Sequence, residues 1–282
     1  MRSFIYQLRR TADTLTVRFV FYGFLFLVII HSLGVISRFW GMDAVSMIEP
    51  MKLRIMYDET NQITIRLIQF FPFLAVIPAG FSYFDDSKNR TDIIIRTRSG
   101  NSAYVRDSLL SSFVVSFFTY WIPFMLEIGI LSVAMDIGIS RDPSGLTYYQ
   151  SGMQSYIGNY FFADLYKTHP ILHAIAEVSV WAAIVGALAS FAVAVSFFGI
   201  KIRALVFLPV LMVVYAVSFV GDYLGTGFTT NYMWYLLGYD GHEKNDLFIF
   251  VLLAALIVSC VICGIINARR DRLCIVCPSL HL

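Results

Sequence analysis

The stretch PILHAIAEVSVWAAIVGALASFAVAVSFFGI, residues 170–200, carries a single charged side chain, Glu177. A helix of about 20 apolar residues crosses a hydrocarbon layer of ~30 Å, so this stretch alone is long enough to span a membrane. Five other runs are similarly apolar: 19–36, 63–84, 109–135, 204–220 and 247–266. The sequence therefore predicts an all-α integral membrane protein whose six transmembrane helices form one domain, residues 1–282.

Composition supports this fold class. Hydrophobic residues make up 58% of the chain and charged residues only 14%, with a mean hydropathy of +0.70. These values differ strongly from those of soluble domains, which bury apolar residues beneath a charged surface. The small net charge of +2 gives no indication of nucleic-acid binding.

Basic residues fall mostly on alternate segments between the apolar runs. Fourteen of the 21 Lys and Arg residues lie on the side of the N-terminus: Arg2, Arg9, Arg10, Arg18, Lys88, Arg90, Arg96, Arg98, Arg106, Lys201, Arg203, Arg269, Arg270 and Arg272. Short loops rich in Lys and Arg stay in the cytoplasm. We therefore expect a multi-pass protein of the inner (plasma) membrane with both termini inside and a cytoplasmic tail at 267–282.

The first 17 residues predict a helix along the inner membrane surface. Phe4, Ile5 and Leu8 alternate with Arg9 and Arg10, a pattern that suits an amphipathic interfacial helix. Because the following apolar run, 19–36, is longer than the core of a secretory signal, we interpret it as a retained first span.

Three ionisable residues lie within the apolar runs at one expected depth: Arg66, Glu127 and Glu177. A lone charge is costly in a membrane, whereas paired charges are tolerated. We therefore expect Arg66 to neutralise one or both carboxylates inside the bundle. A structural role and a role in gating or in contacting a charged substrate both remain open.

Small residues recur every fourth position in the fourth run, at Ala182, Gly186, Ser190 and Ala194. Such a stripe allows another helix backbone to approach closely. The partner helix is either in the same chain or in a second subunit.

One spacing resembles a zinc-ligand set. His169, His173 and Glu177 are four residues apart, but Pro170 disfavours helical geometry at His169 and leaves only two of them securely on one face. We expect no metal or other cofactor in this chain, and a membrane enzyme with a metal at His173 and Glu177 is kept as an alternative.

The chain contains no phosphate-binding loop, no nucleophile elbow and no kinase motifs, so it is not expected to be an enzyme. Local sequence nevertheless suggests a family. Phe71-Pro72-Phe73-Leu74-Ala75-Val76-Ile77-Pro78, the acidic turn Asp85-Asp86, Arg96-Thr97-Arg98 and Tyr104-Val105-Arg106 together resemble the permease subunit of bacterial ABC exporters of the type-2 permease family.

The resemblance implies a transport mechanism. Two permease subunits, either two copies or a copy and a homologue, would form the pathway, and separate ATP-binding subunits carrying ATP and Mg would dock from the cytoplasm. The first cytoplasmic loop would hold a coupling helix, with Arg96, Arg98, Tyr104 and Arg106 as coupling residues. The segment 221–241 would be re-entrant or interfacial. The exported substrate would be a peptide, a lipid-like molecule or a drug. Besides the exporter and the metal-dependent membrane enzyme, a third possible function is that of a membrane assembly or sensing protein.

Overall fold

The computed structural model describes residues 2–41, 51, 53–56, 62–135, 161–200, 202–224, 228–236 and 244–276. These residues are helical or lie in turns and short connections, and none of them forms a β-strand. The all-α class predicted from the sequence is confirmed for this part of the chain.

The described residues form eleven α-helices. They are α1 (Arg2–Ala12), α2 (Leu15–Phe39), α3 (Gln62–Val76), α4 (Ser82–Lys88), α5 (Thr91–Ser99), α6 (Asn101–Ala134), α7 (Ala163–Thr168), α8 (Pro170–Ser196), α9 (Phe207–Leu224), α10 (Tyr232–Leu236) and α11 (Asp246–Val276). A 3₁₀ turn, Arg203–Val206, leads into α9.

Four of these helices, α2, α6, α8 and α11, are long and apolar enough to cross a membrane. The shortest apolar stretch among them, Asp246–Arg269, has 24 residues and extends for about 36 Å. Two shorter apolar helices, Gln62–Val76 and Arg203–Phe219, accompany them. The chain is therefore a membrane protein by the length and composition of these four helices.

The run 63–84 is divided in two, which differs from the continuous span expected. Helix α3 ends at Val76, two residues before Pro78, because proline lacks a backbone N–H and disfavours helical geometry in the residue before it. The chain then turns at Gly80, where a Cβ atom would lie 2.6 Å from the Val76 carbonyl oxygen. Helix α4 follows at Ser82, and the 15 residues of α3 extend for only ~22 Å.

The small-residue stripe on α8 packs against α6 of the same chain. A Cβ atom at Gly186 would lie 2.9 Å from the Phe113 carbonyl oxygen, and Ser190 Oγ donates to the Leu109 carbonyl oxygen at 2.9 Å. Ala182 and Ala194 are also buried. The sequence allowed either a helix of the same chain or a helix of a second subunit to pack on this stripe. In the structure, α6 of the same chain packs on it.

Helix α1 lies along the start of α6. Its Gln7 side chain is buried, and the Ser108 hydroxyl donates to Gln7 Oε1 at 2.9 Å. Ile5 and Tyr6 point away from the bundle, with more than half of each residue exposed. A helix at the start of the chain was predicted for 1–17, and the structure has it from Arg2 to Ala12.

The segments between helices meet at two opposite ends of the bundle. At one end, Arg10 pairs with Asp86 and Arg203 with Asp85, which joins the α1, α4 and 3₁₀ segments. At the other end, the Phe162 backbone N–H donates to Asp246 Oδ1 at 3.1 Å. These contacts join segments that are distant in the sequence, and the sidedness that the basic residues indicate stays a prediction.

Candidate functional site

A buried carboxylate joins four helices at the basic end of the bundle. Asp86 on α4 is only 7% exposed and accepts a hydrogen bond from the Tyr104 hydroxyl at 2.8 Å. The Thr91 hydroxyl donates to the other carboxylate oxygen of Asp86 at 3.2 Å. Arg10 forms an ion pair with the oxygen that Tyr104 contacts. We call these four residues (Arg10, Asp86, Thr91 and Tyr104) the Asp86 junction, and it connects α1, α4, α5 and α6.

Arg96 fixes the inner face of α5 to the same place. Its guanidinium lies 5.7 Å from the ring centre of Tyr83 and 5.2 Å from that of Tyr104, and it donates to the Tyr83 hydroxyl at 3.0 Å. Arginine stacks well on aromatic faces because its planar cation is attracted to the ring quadrupole. The position of α5 therefore depends on Tyr83 and Tyr104.

The outer face of α5 is exposed and mixed in character. Ile93 and Ile94 are each 56% exposed, and Arg98 is also exposed. None of the nine residues of this helix is buried. A helix with one face tied to the bundle and an apolar pair on its outer face is suited to contact a partner.

The four predicted coupling residues divide into two groups. Arg98 and Arg106 are exposed, and Arg106 Nη2 lies 3.0 Å from the buried Asp107 carboxylate. Tyr104 is fully buried and Arg96 is largely covered. The structure therefore places Arg98 and Arg106 on the surface and Arg96 and Tyr104 beneath it, where they position α5 rather than touch a partner.

Asp85 lies beside the junction and connects it to the next loop. Its carboxylate is 3.6 Å from Arg203 Nη2. Burial raises the pKa of the Asp85 carboxyl above its usual 3.8, although the Arg203 guanidinium and Lys88 act in the opposite direction. This pair links α4 to the segment before α9.

Two buried carboxylates occupy the opposite half of the bundle. Glu177 Oε2 on α8 accepts from Arg54 Nη2 at 2.5 Å, and both side chains are almost completely buried. Glu127 Oε1 on α6 lies 3.1 Å from His31 Nδ1 and accepts from the Ile55 backbone N–H at 2.7 Å. We call His31, Arg54, Glu127 and Glu177 the buried ion cluster.

Arg54 takes the position in this cluster that the sequence assigned to Arg66. Glu127 and Glu177 are both buried near this end of the bundle, as expected, but Arg66 lies on an exposed face of α3. The reason is the path of the chain, because residues 53–56 enter the bundle and bring the Arg54 guanidinium to Glu177. In the sequence, Arg54 lies in the segment between the first two apolar runs, 19–36 and 63–84.

Residues 51 and 53–56 form a plug between the helices, in which 53–56 have turn and bend backbone. Met51, Leu53 and Ile55 are buried, and Arg54 Nε donates to the Met51 carbonyl oxygen at 2.8 Å. The Thr64 hydroxyl donates to the Ile55 carbonyl oxygen. Irregular backbone is tolerated at membrane depth only where protein satisfies its polar groups, and Glu127, Arg54 and Thr64 do so here.

A narrow cavity of about 30 Å³ lies beneath the plug. Arg54 and Glu177 lie along its wall, with aromatic side chains from Phe71, Tyr120 and Trp181. The combination of an apolar lining and one ion pair is typical of small-molecule sites, although this cavity is about the size of one water molecule.

The possible zinc ligands are engaged separately. His173 is buried, and its Nε2 lies 2.6 Å from the Phe161 carbonyl oxygen, while Glu177 binds Arg54. His169 is exposed at the start of α8. Among the described residues, no three His, Cys, Asp or Glu side chains lie together as metal ligands.

The segment before the last span folds back against the bundle. Helix α10 is a single turn, and the Tyr232 ring lies 6.3 Å from that of Phe71. The Thr230 hydroxyl donates to the Ser218 carbonyl oxygen at 3.2 Å. The other parts of the predicted re-entrant segment, 225–227 and 237–241, lie outside the described residues.

No protein-family model, curated protein or solved structure matches this chain.

Proposed function

We propose that this chain is the transmembrane subunit of an exporter that is driven by a separate ATP-hydrolysing subunit. The observation that carries the proposal is helix α5, whose exposed outer face carries the apolar pair Ile93 and Ile94 and whose inner face is held by the Asp86 junction and Arg96. The resemblance to ABC exporters of the type-2 permease family assigns a coupling helix to this same loop.

The contacts of α5 suit the transfer of movement. A force on its outer face acts on Arg96, which stacks on Tyr83 of α4 and on Tyr104 of α6. Tyr104 is hydrogen-bonded to Asp86, and Asp86 is paired with Arg10 of α1. Because buried side chains are closely packed, a displacement of α5 is passed to the long helix α6 rather than absorbed locally.

The outer face of α5 also defines the kind of partner. Ile93 and Ile94 favour an apolar groove, and the neighbouring Arg98 favours an acidic rim around it. We infer that the ATP-binding subunit supplies this groove, together with the ATP and Mg that the permease does not bind.

The proposal includes six membrane spans with both termini inside. The four long apolar helices are four of these spans, and the other two are formed by α3 with α4 and by the 203–224 segment. The end of the bundle that contains Arg10 and Arg203 would face the cytoplasm at a bacterial inner membrane. A second copy of this chain or a homologous permease completes the pathway.

The test is co-purification of the tagged chain with a candidate ATP-binding subunit that is co-expressed with it. Ile94→Asp is expected to lower the amount of recovered ATPase by about tenfold, because a buried charge is costly in an apolar groove. Ile202→Asp is the matched control, since Ile202 has a similar exposure of 59% and is adjacent to Arg203 at the same end of the bundle.

The second readout is ATP hydrolysis in liposomes. Tyr104→Phe removes the hydrogen bond to Asp86 and keeps the packing, so the ATPase should remain bound while transport-linked stimulation decreases. If neither Ile94→Asp nor Tyr104→Phe differs from the control, α5 does not couple the two subunits and the proposal is wrong.

A further inference from the structure

A groove of about 440 Å³ runs between α2 and α3 on the outside of the bundle. One face of α3 forms most of it, and Leu27 of α2 forms the opposite edge. The α3 residues that line it recur at helical spacing: Gln62, Ile63, Arg66, Leu67, Phe70 and Leu74. The volume is within the range of ligand-binding clefts.

Arg66 is the charged residue of this groove. It lies one turn from the start of α3, a helix with no other charged residue, and its side chain is exposed. The two buried carboxylates near this end of the bundle already have partners, since Glu177 binds Arg54 and Glu127 binds His31 and the Ile55 backbone. A cation on the apolar outer face of a membrane protein is stabilised by an anion supplied from outside the chain.

Apart from Gln62, the rest of the groove is apolar. Phe70 is 55% exposed, and it is followed one turn later by Leu74. From Arg66 to Leu74 the helix advances by about 12 Å, so a ligand that binds Arg66 at one end has an apolar floor below it. Charge at one end and hydrocarbon along the remainder is the pattern of a phospholipid.

We propose that this groove binds an anionic phospholipid, with Arg66 contacting the phosphate and with Leu27, Leu67, Phe70 and Leu74 contacting an acyl chain. Arginine suits this role because its planar fork of donors matches phosphate oxygens. Gln62, one turn before Arg66 on the same face, provides a second donor.

The bound lipid would lie against the wall of the inner cavity. Leu67 and Leu74 line both the groove and the cavity that contains Arg54 and Glu177. The proposal is independent of the exporter assignment, because it requires only that α2 and α3 face lipid.

The test measures lipid retention on the purified full-length protein by native mass spectrometry. Dioleoylphosphatidylglycerol and dioleoylphosphatidylcholine are titrated separately, and phosphatidylglycerol is expected to bind more tightly. Arg66→Gln should weaken its affinity by about tenfold, the effect of losing one charge-assisted hydrogen bond. Arg90→Gln is the matched control, because it removes an exposed arginine that does not line the groove and should leave phosphatidylglycerol binding unchanged.

A second variant tests the apolar part of the groove without altering its charge. Leu27→Trp fills the groove and should also weaken phosphatidylglycerol binding, while soluble glycerol phosphate should bind poorly to every variant. Thermal unfolding without added lipid verifies that each variant is folded. Equal lipid binding by the wild type, Arg66→Gln and Leu27→Trp would overturn the proposal.

Two other outcomes would also overturn it. If glycerol phosphate binds as tightly as the lipid, the site recognises free phosphate and the groove is irrelevant. If Arg66→Gln changes the dimer fraction rather than lipid retention, the groove is a contact between copies of the chain.

Discussion

Replacing Arg54 or Glu177 should destabilise the protein far more than replacing Arg66. Arg54 and Glu177 are paired at 2.5 Å with side chains that are 3% and 5% exposed, so removing one leaves the other in a low-dielectric environment. Breaking a buried ion pair costs roughly 3–5 kcal/mol, whereas replacing an exposed side chain costs within ~0.5 kcal/mol. Arg66→Met is therefore the matched control for Arg54→Met.

The two single variants should differ from each other. Arg54→Met leaves the buried carboxylate of Glu177 without its cation, and a carboxyl group has a neutral form. Glu177→Gln leaves the buried guanidinium of Arg54 without its anion, and a guanidinium has no neutral form in proteins. We expect Glu177→Gln to be the more destabilising of the two.

The double variant tests the pairing directly. The double variant Arg54→Met/Glu177→Gln should lose only ~1 kcal/mol, because neither charge is left unpaired.

The assay is the free energy of unfolding in mixed micelles titrated with dodecyl sulfate, followed by tryptophan fluorescence. Trp181 lines the same cavity as Arg54 and Glu177, so its emission reports on this region. Additive losses in the double variant would refute the pairing. A loss in Arg66→Met as large as that in Arg54→Met would refute the placement of Arg66.

Three further predictions concern packing, the junction and pH. Gly186→Ala should lower the free energy of unfolding by about 1–3 kcal/mol, because the new Cβ atom meets the Phe113 carbonyl oxygen. Gly129→Ala is the control and should raise the free energy of unfolding by ~0.5–1 kcal/mol, because a Cβ atom there has no neighbour within 4 Å. Equal effects of the two substitutions would contradict the close approach of α8 to α6. Asp86→Asn should release α1 and speed amide hydrogen exchange over residues 2–12, while Asp85→Asn should not; unchanged protection in both would remove the junction as the anchor of α1. Because burial raises the pKa of Asp85, ionisation of this carboxyl opposes folding. The contribution of Asp85 to the free energy of unfolding should therefore fall as the pH rises above 3.8. Thermal unfolding of Asp85→Asn, measured over the same pH range, should lack that decline.

The helical class and the positions of most long helices could be predicted from the sequence. The length of an apolar segment decides whether a helix can cross a bilayer, and that length can be counted in the sequence, as for the apolar run 170–200. The short helix in the first loop was also expected, on the basis of the family resemblance, and it is present at Thr91–Ser99. Its role in coupling stays a prediction.

The break between α3 and α4 was harder to predict. Pro72 and Pro78 are both in the apolar run, yet Pro72 lies inside α3 and only Pro78 follows its end. Proline inside a membrane helix is tolerated where neighbours satisfy the freed carbonyls, and whether they do is not encoded locally.

The partners of charged residues could not be predicted either. Asp86 was recognised only as part of an acidic turn, and His31 was passed over within the first apolar run. A sequence signal existed for His31, because any ionisable side chain inside a span is a candidate for pairing. Nothing in the sequence separates its role from that of His169 or His173.

The sequence by itself determined that this protein is helical and membrane-embedded. These properties follow from hydrophobicity and charge, which each residue carries wherever the chain goes. Only the tertiary structure decided that Arg54 rather than Arg66 neutralises Glu177, that the α8 stripe receives α6, and that Asp86 joins four helices. The physical reason is that a pair of charges or a close helix contact depends on two distant segments meeting, and the position of residues 53–56 inside the bundle is set by the packing of the helices around them.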